Sequence, residues 1–145
     1  MDISPDQISQ VRAFNRFYTR QLGLLNEGLL KSEFALSEAR VLYELGTRDS
    51  LTAADLCRDL GLDPGYLSRM LKKFATRKLI SRHASDSDGR QSILSLTNQG
   101  RLAFDRLNQS SEEEIRTLLG RLPLADRDRL VKCMGVVPDP FREPG

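Results

Sequence analysis

The stretch Gly61-Leu62-Asp63-Pro64 constrains this chain more than any other, because it breaks the backbone between two short helical segments. Thr52 stands where a cap residue belongs, with Asp55 three positions on, a variant of the capping box. Leu56, Cys57 and Leu60 then form an inner stripe, and Gly61 ends the segment. Asp63 and Pro64 restart it as cap and first helical residue. On a helical projection Leu67, Met70, Leu71 and Phe74 share one face. Gly65, Ser68, Arg69, Lys72 and Thr76 share the opposite face, flanked by Tyr66 and Lys73. Packing on a core explains the apolar face but gives no reason for a basic far side.

Charge distribution supplies that reason. The 145 residues carry a formal net charge of only +2, so the molecule as a whole is no generic polyanion binder. Between Arg69 and Arg106, however, stand Arg69, Lys72, Lys73, Arg77, Lys78, Arg82, Arg90, Arg101 and Arg106, against only Asp86, Asp88 and Asp105. Basic charge gathered on one segment is the footprint of a nucleic-acid face, although a solvated surface has the same composition. A helix that packs by one side and offers cations by the other suits a groove of double-stranded DNA, so residues 52–74 read as a helix-turn-helix. Gly65 leaves the start of the second helix bare, allowing backbone to approach a phosphate.

Two strand-like runs follow, Leu79–Ala84 and Ser92–Leu96, joined by the polar turn Ser85-Asp-Ser-Asp-Gly-Arg-Gln91. After a helix-turn-helix such a hairpin is a wing, and Arg90 at its tip is placed to enter the adjacent minor groove. His83, the only histidine, reads as a surface group or phosphate contact rather than a catalyst.

The flanks are helical. Ser4-Pro5-Asp6-Gln7 opens a helix over residues 4–22 whose apolar positions Ile8, Val11, Phe14, Tyr18, Leu22 and Leu25 recur every three or four residues. That helix either completes the core or docks on a second subunit. Residues 23–36 form an apolar connection with two glycines. Ser37 is expected to cap a helix over Glu38–Leu45, with Ala39, Leu42 and Leu45 facing in, Val41 at the edge and Gly46 as the stop. Thr97 caps a long helix to about Leu119, with Leu102, Phe104, Leu107 and Ile115 at helical spacing, ended by Gly120. Pro123 opens a last helix, Leu124–Met134, with Leu130, Val131 and Met134 apolar. Two helices beyond the wing exceed what one winged module needs and are expected to pair with the first helix of a second copy in a twofold homodimer. The proline-rich tail from Pro138 reads as a linker or a cut end.

The expected class is mainly α with a small β-hairpin wing: a winged helix-turn-helix domain with additional N- and C-terminal dimerisation helices. The expected divisions are 1–36, an N-terminal helix and loop; 37–97, the DNA-binding domain; 98–137, the C-terminal dimerisation helices; and 138–145, a linker or tail. No run of about eighteen apolar residues exists to span a membrane, and Met1-Asp-Ile-Ser-Pro5 is unlike a signal peptide, so a cytoplasmic location is expected. Cys57 and Cys133 form no CxxC pair, which argues against a disulfide framework or zinc site and leaves a redox role for either open. With one histidine, no Gly-rich phosphate loop and no paired cysteines, a stand-alone enzyme or a cofactor site is not expected.

The order helix, helix, helix-turn-helix, wing, long helix, final helix resembles the MarR family of bacterial transcription regulators. The residues that carry it are Leu36-Ser-Glu-Ala-Arg-Val-Leu42, Leu51-Thr-Ala-Ala-Asp-Leu56, Tyr66-Leu-Ser-Arg-Met-Leu71, and Asp86-Ser-Asp-Gly-Arg-Gln-Ser-Ile-Leu-Ser-Leu-Thr-Asn-Gln-Gly100. The resemblance implies that Arg69 and its neighbours read the major groove of operator DNA, Arg90 the minor groove, and that the outer helices dimerise. The implied DNA-binding set is Thr52, Gly65, Tyr66, Ser68, Arg69, Lys72, Lys73, Arg77 and Arg90. Many members have Asp-Arg-Arg at the wing tip, where this chain has Gly89-Arg90-Gln91, so the Asp that braces the wing arginine is missing and Asp88 is the substitute at hand. The family's small aromatic effectors imply a crevice that Phe14, Tyr18, Phe34 and Tyr43 could line, although all four also read as core aromatics.

A narrower similarity links Arg12–Arg20, the Leu-Asn-Glu-Gly-Leu-Leu loop and the Arg-Glu-Pro tail to the regulator half of proteins that fuse a MarR domain to a GNAT acetyltransferase. This chain holds no acetyl-CoA loop of that kind, so it is expected at most to be the regulatory module of such a fusion. Whether 145 residues is its natural length stays open.

Overall fold

The computed structural model of the protein describes residues 2–21, 33–84 and 91–142. These form α1 (Pro5–Gln21), α2 (Leu36–Thr47), α3 (Ala53–Leu60), α4 (Pro64–Thr76), β1 (Ile80–Ala84), β2 (Ser92–Leu96), α5 (Asn98–Gly120) and α6 (Leu124–Val136), with a short 3-10 turn at Asp139–Phe141. The architecture is mainly helical with one small antiparallel hairpin, a winged helix-turn-helix. The chain divides into two compact units, Met1–Asn108 and Gln109–Gly145.

The core of the first unit is built around α4. Leu67, Met70, Leu71 and Phe74 are all buried, as their spacing predicts. They meet Val41, Leu42 and Leu45 of α2, Leu56 of α3, and Phe34, Leu51, Leu79, Ile80, Leu94 and Leu107. Phe34 and Phe74 pack edge to face, with centroids 6.2 Å apart. Emptying a site such as that of fully buried Phe74 would cost ~3–5 kcal/mol, against ~0.2–1 kcal/mol for an exposed ion pair. Packing therefore decides which way α4 faces, and surface charge only trims it.

Helix α2 departs from the sequence expectation in three ways. It begins at Leu36, not after Ser37, because the Glu38 carboxylate reaches back to the Ala35 N–H at 2.9 Å, the reciprocal half of a capping box. It runs through Gly46 to Thr47. A Cβ at Gly46 would stand 2.5 Å from the Phe104 ring, so this glycine makes room for a partner and stops nothing. Val41, expected at the edge, is fully buried.

Strands β1 and β2 pair in register from Ile80↔Leu96 to Ala84↔Ser92. The sequence pattern does not reveal a third participant: Leu51 bridges to Leu94, whose N–H donates to the Leu51 carbonyl at 2.7 Å. The hairpin is sewn to α5 at its base. Thr97 donates its N–H to Leu79 O at 3.0 Å and its hydroxyl to Lys78 O, while accepting from Gly100 N–H at 3.0 Å. The turn tip, with Gly89 and Arg90, lies outside the described residues, as does most of the 23–36 connection.

Phe104 and Leu107 of α5 are buried within the first unit, whereas Leu102 faces solvent. In α1 no residue is buried: Ile8, Val11, Phe14, Phe17 and Tyr18 are all exposed. The second unit contains the remainder of α5, α6 and the 3-10 turn. There Arg127 donates to the carbonyls of Leu119 (3.2 Å) and Leu122 (3.4 Å), while Ile115, Leu124, Val131, Met134, Val136, Val137 and Phe141 stay exposed. No described helix is long and apolar enough to cross a membrane.

Candidate nucleic-acid interface

The candidate interface follows from how α4 starts and what it buries. Asp63 caps it, accepting the Tyr66 N–H at 2.9 Å, and Pro64 supplies the first helical φ. Because Leu67, Met70, Leu71 and Phe74 take the inner face, Gly65, Ser68, Arg69, Lys72 and Thr76 are turned outward and exposed. Neither Arg69 nor Lys72 has a carboxylate partner among the described residues. A Cβ at Gly65 would sit 3.2 Å from the capping Asp63 Oδ2 and 3.6 Å from Arg69 Nη1, so the bare position leaves room for both the cap and the guanidinium.

The other cations of this helix are differently placed. Lys73 Nζ lies 3.0 Å from Glu38 Oε2, and that carboxylate is 10% exposed. Arg77, the C-cap, pairs with Glu33 and holds its guanidinium 5.0 Å over the Phe34 ring. Burial pushes the Glu38 carboxyl up, but the Ala35 amide and Lys73, with the charge of Arg77 behind them, outweigh it and leave it below the ordinary range. Withdrawing one donor from so buried a carboxylate would cost about 1–3 kcal/mol. Tyr66 is exposed, yet its phenol shares a 2.7 Å hydrogen bond with the Ser37 hydroxyl. Tyr66, Lys73 and Arg77 thus all meet residues 33–38, partners 29 to 44 positions away that sequence reasoning does not identify.

Thr52 is half-buried at the start of α3. Its hydroxyl accepts the Asp55 N–H at 3.1 Å, and Asp55 accepts the Thr52 N–H at 3.1 Å. The capping box is complete, and the hydroxyl proton stays available to an acceptor. An ion-pair chain that sequence reasoning overlooks ties α3 to the end of α2: Arg48 joins Glu44 (3.0 Å) to Asp59 (2.8 Å), and Arg58 joins Asp59 to Asp55, each at 3.0 Å. Only the opposite charges at i,i+3 and i,i+4 could have signalled it. Arg101 is likewise engaged, donating to Gly46 O at 2.9 Å beside the Phe104 ring. Arg82 and His83 of β1 are exposed, and Arg90 lies outside the described residues.

The four aromatics singled out for an effector do not share one environment. Phe14 and Tyr18 stack on α1 with centroids 5.6 Å apart, both open to solvent. Tyr43 is half-exposed and tilts against Phe104. Phe34 is 4% exposed and belongs to the core.

The fold is similar to that of known proteins. The family model described as MarR family matches residues 34–91. The Uncharacterized HTH-type transcriptional regulator YdgJ of Bacillus subtilis (strain 168) is 24% identical over 98 residues, which are 68% of this chain. The chain spans 60% of the length of that curated relative. A mutant MarR from E. coli, solved in complex with operator DNA, aligns with a TM-score of 0.73 at 22% identity, over 94% of this chain and 99% of that one. BpsR of Bordetella bronchiseptica, studied for the regulation of its DNA binding by 6-hydroxynicotinic acid, aligns with a TM-score of 0.71 at 20% identity, over 88% of this chain and 91% of that one.

Proposed function

We propose that this chain, whose residues 34–91 match the MarR family model, is a sequence-specific transcriptional regulator of that family that binds pseudo-palindromic DNA as a homodimer. The observation that carries this reading is the outer face of α4, where Arg69 and Lys72 project without carboxylate partners among the described residues, from a helix fixed by its buried side. A guanidinium can pair with both acceptors of a guanine edge, whereas an ammonium is a point charge suited to phosphate. Arg69 is therefore the proposed base reader, with Ser68 and Tyr66 beside it. Lys72, the Gly65 backbone and the Thr52 hydroxyl are the proposed phosphate contacts, and Arg90 the minor-groove contact.

Affinity measured on a duplex selected by the protein itself, against an unrelated duplex, tests this. Arg69→Ala should cost on the order of 1–3 kcal/mol on the selected duplex only, while Lys72→Ala weakens both alike. Equal losses on both duplexes from Arg69→Ala would remove it from the reading role.

Control by a small aromatic compound is the accompanying proposal, supported by the exposed Phe14–Tyr18 stack and half-exposed Tyr43. Phe34 would act as packing rather than contact. Such a ligand acts only by binding the DNA-incompetent arrangement more tightly. A salicylate-like acid that raises the unfolding temperature without lowering DNA affinity would contradict it.

A further inference from the structure

Tyr66, Lys73 and Arg77 lie on one flank of α4 and its C-cap, and each meets a side chain of residues 33–38. That flank is a seam between α4 and the start of α2. Glu38 is the centre of it. Its Oε1 accepts the Ala35 amide and its Oε2 holds Lys73, so both oxygens of a nearly buried carboxylate are engaged. Were Lys73 to turn to a phosphate, the loss would fall on Glu38, which has little water to replace it. Lys72, one residue earlier, carries no such tether among the described residues. Glu33 is 66% exposed, so water can replace Arg77 more readily there, but the Phe34 ring under the guanidinium fixes its direction.

We infer that Glu38 and Glu33 withhold Lys73 and Arg77 from phosphate, making these cations positioning residues and leaving Arg69 and Lys72 as the helix charges offered to DNA. The inference rests on the DNA-binding reading and divides its cations into two kinds. Its consequence is specificity. Four unopposed cations on one helix would grip any duplex, since phosphate contacts carry affinity without sequence information. Neutralising two of them lowers non-specific binding and leaves discrimination to base edges.

Salt dependence reads this directly, because each neutralised phosphate adds about 0.9 to the slope of log K against log salt. We would measure the full chain by fluorescence anisotropy on its selected duplex and on an unrelated one across a salt series. Lys72→Ala should flatten the slope by about 0.9 for every phosphate that the ammonium neutralises. Lys73→Ala should weaken binding several-fold at every salt while leaving the slope unchanged, and Lys73→Arg should restore the affinity. Glu38→Gln should steepen the slope and raise affinity for the unrelated duplex, as the freed ammonium finds phosphate. Glu33→Gln, at a carboxylate that is 66% exposed, makes the same test for Arg77. Equal flattening by Lys73→Ala and Lys72→Ala, or wild-type slopes in both glutamine variants, overturns the inference while leaving DNA binding intact. A wild-type protein that binds no duplex at any salt overturns the DNA-binding reading itself, and the withholding role with it.

Discussion

A side chain at Gly100 would place its Cβ 2.0 Å from the carbonyl oxygen of Leu79, a backbone atom that Thr97 also binds. Neither partner can step aside, since the residue before β1 and the first turn of α5 are joined at this point. Gly100→Ala should therefore destabilise by at least the ~1–3 kcal/mol of ordinary overpacking, read as a lower urea midpoint. Gly135→Ala, in open space within α6, is the matched control and should be neutral or stabilising by up to about 1 kcal/mol. Acid should act at residue scale too. Glu38 lies below its ordinary 4.5, through the balance of burial, the Ala35 amide and Lys73. Asp59 lies below 3.8 through its bonds to Arg48 and Arg58, and Asp55 through the Thr52 amide. A carboxylate depressed in the folded state binds fewer protons there than when unfolded, so its contribution is complete above the ordinary value and fades as pH falls through the depressed one. Urea midpoints should hold from about pH 7 to about 5 and decline below about pH 4.5, less steeply in Glu38→Gln. A midpoint that rises on acidification would contradict these assignments.

At the scale of elements, what the sequence announced was local. The caps of α3 and α4 depend on residues three positions apart, Thr52 with Asp55 and Asp63 with Tyr66, and the four-residue buried face of α4 depends on helical periodicity alone. What it concealed was tertiary. Gly46 looks like a stop until Phe104 is seen against it, and Ser37 looks like a cap until Glu38 is found reaching back to Ala35. Lys73 and Arg77 look like their neighbour Lys72, because nothing within a helical turn reveals a counter-ion 35 or 44 residues away. Periodicity also found apolar stripes on α1 and α5 without saying what covers Ile8, Val11 or Leu102. The element-level prediction concerns α3, which is only eight residues long and leans on its capping box. Thr52→Ala should cost ~1 kcal/mol and speed hydrogen exchange in α3 before α4, and uniform acceleration across both would mean they open as one unit.

For the molecule as a whole, α1 and α6 keep their apolar side chains in water in the single chain, a cost that a second copy would remove. The proposed twofold pairing would place two α4 faces on one side of the DNA with half-sites about one helical turn apart, a symmetry that would make a single winged helix selective. The most direct test is selection of duplexes from a random pool by the purified chain, followed by footprinting of the winner. The expected result is an inverted repeat with two protected major-groove half-sites roughly 10–10.5 base pairs apart, centre to centre, and both abolished together in Arg69→Ala. Failure to enrich any sequence, or protection of a single half-site unchanged by Arg69→Ala, would contradict a twofold, α4-based reader.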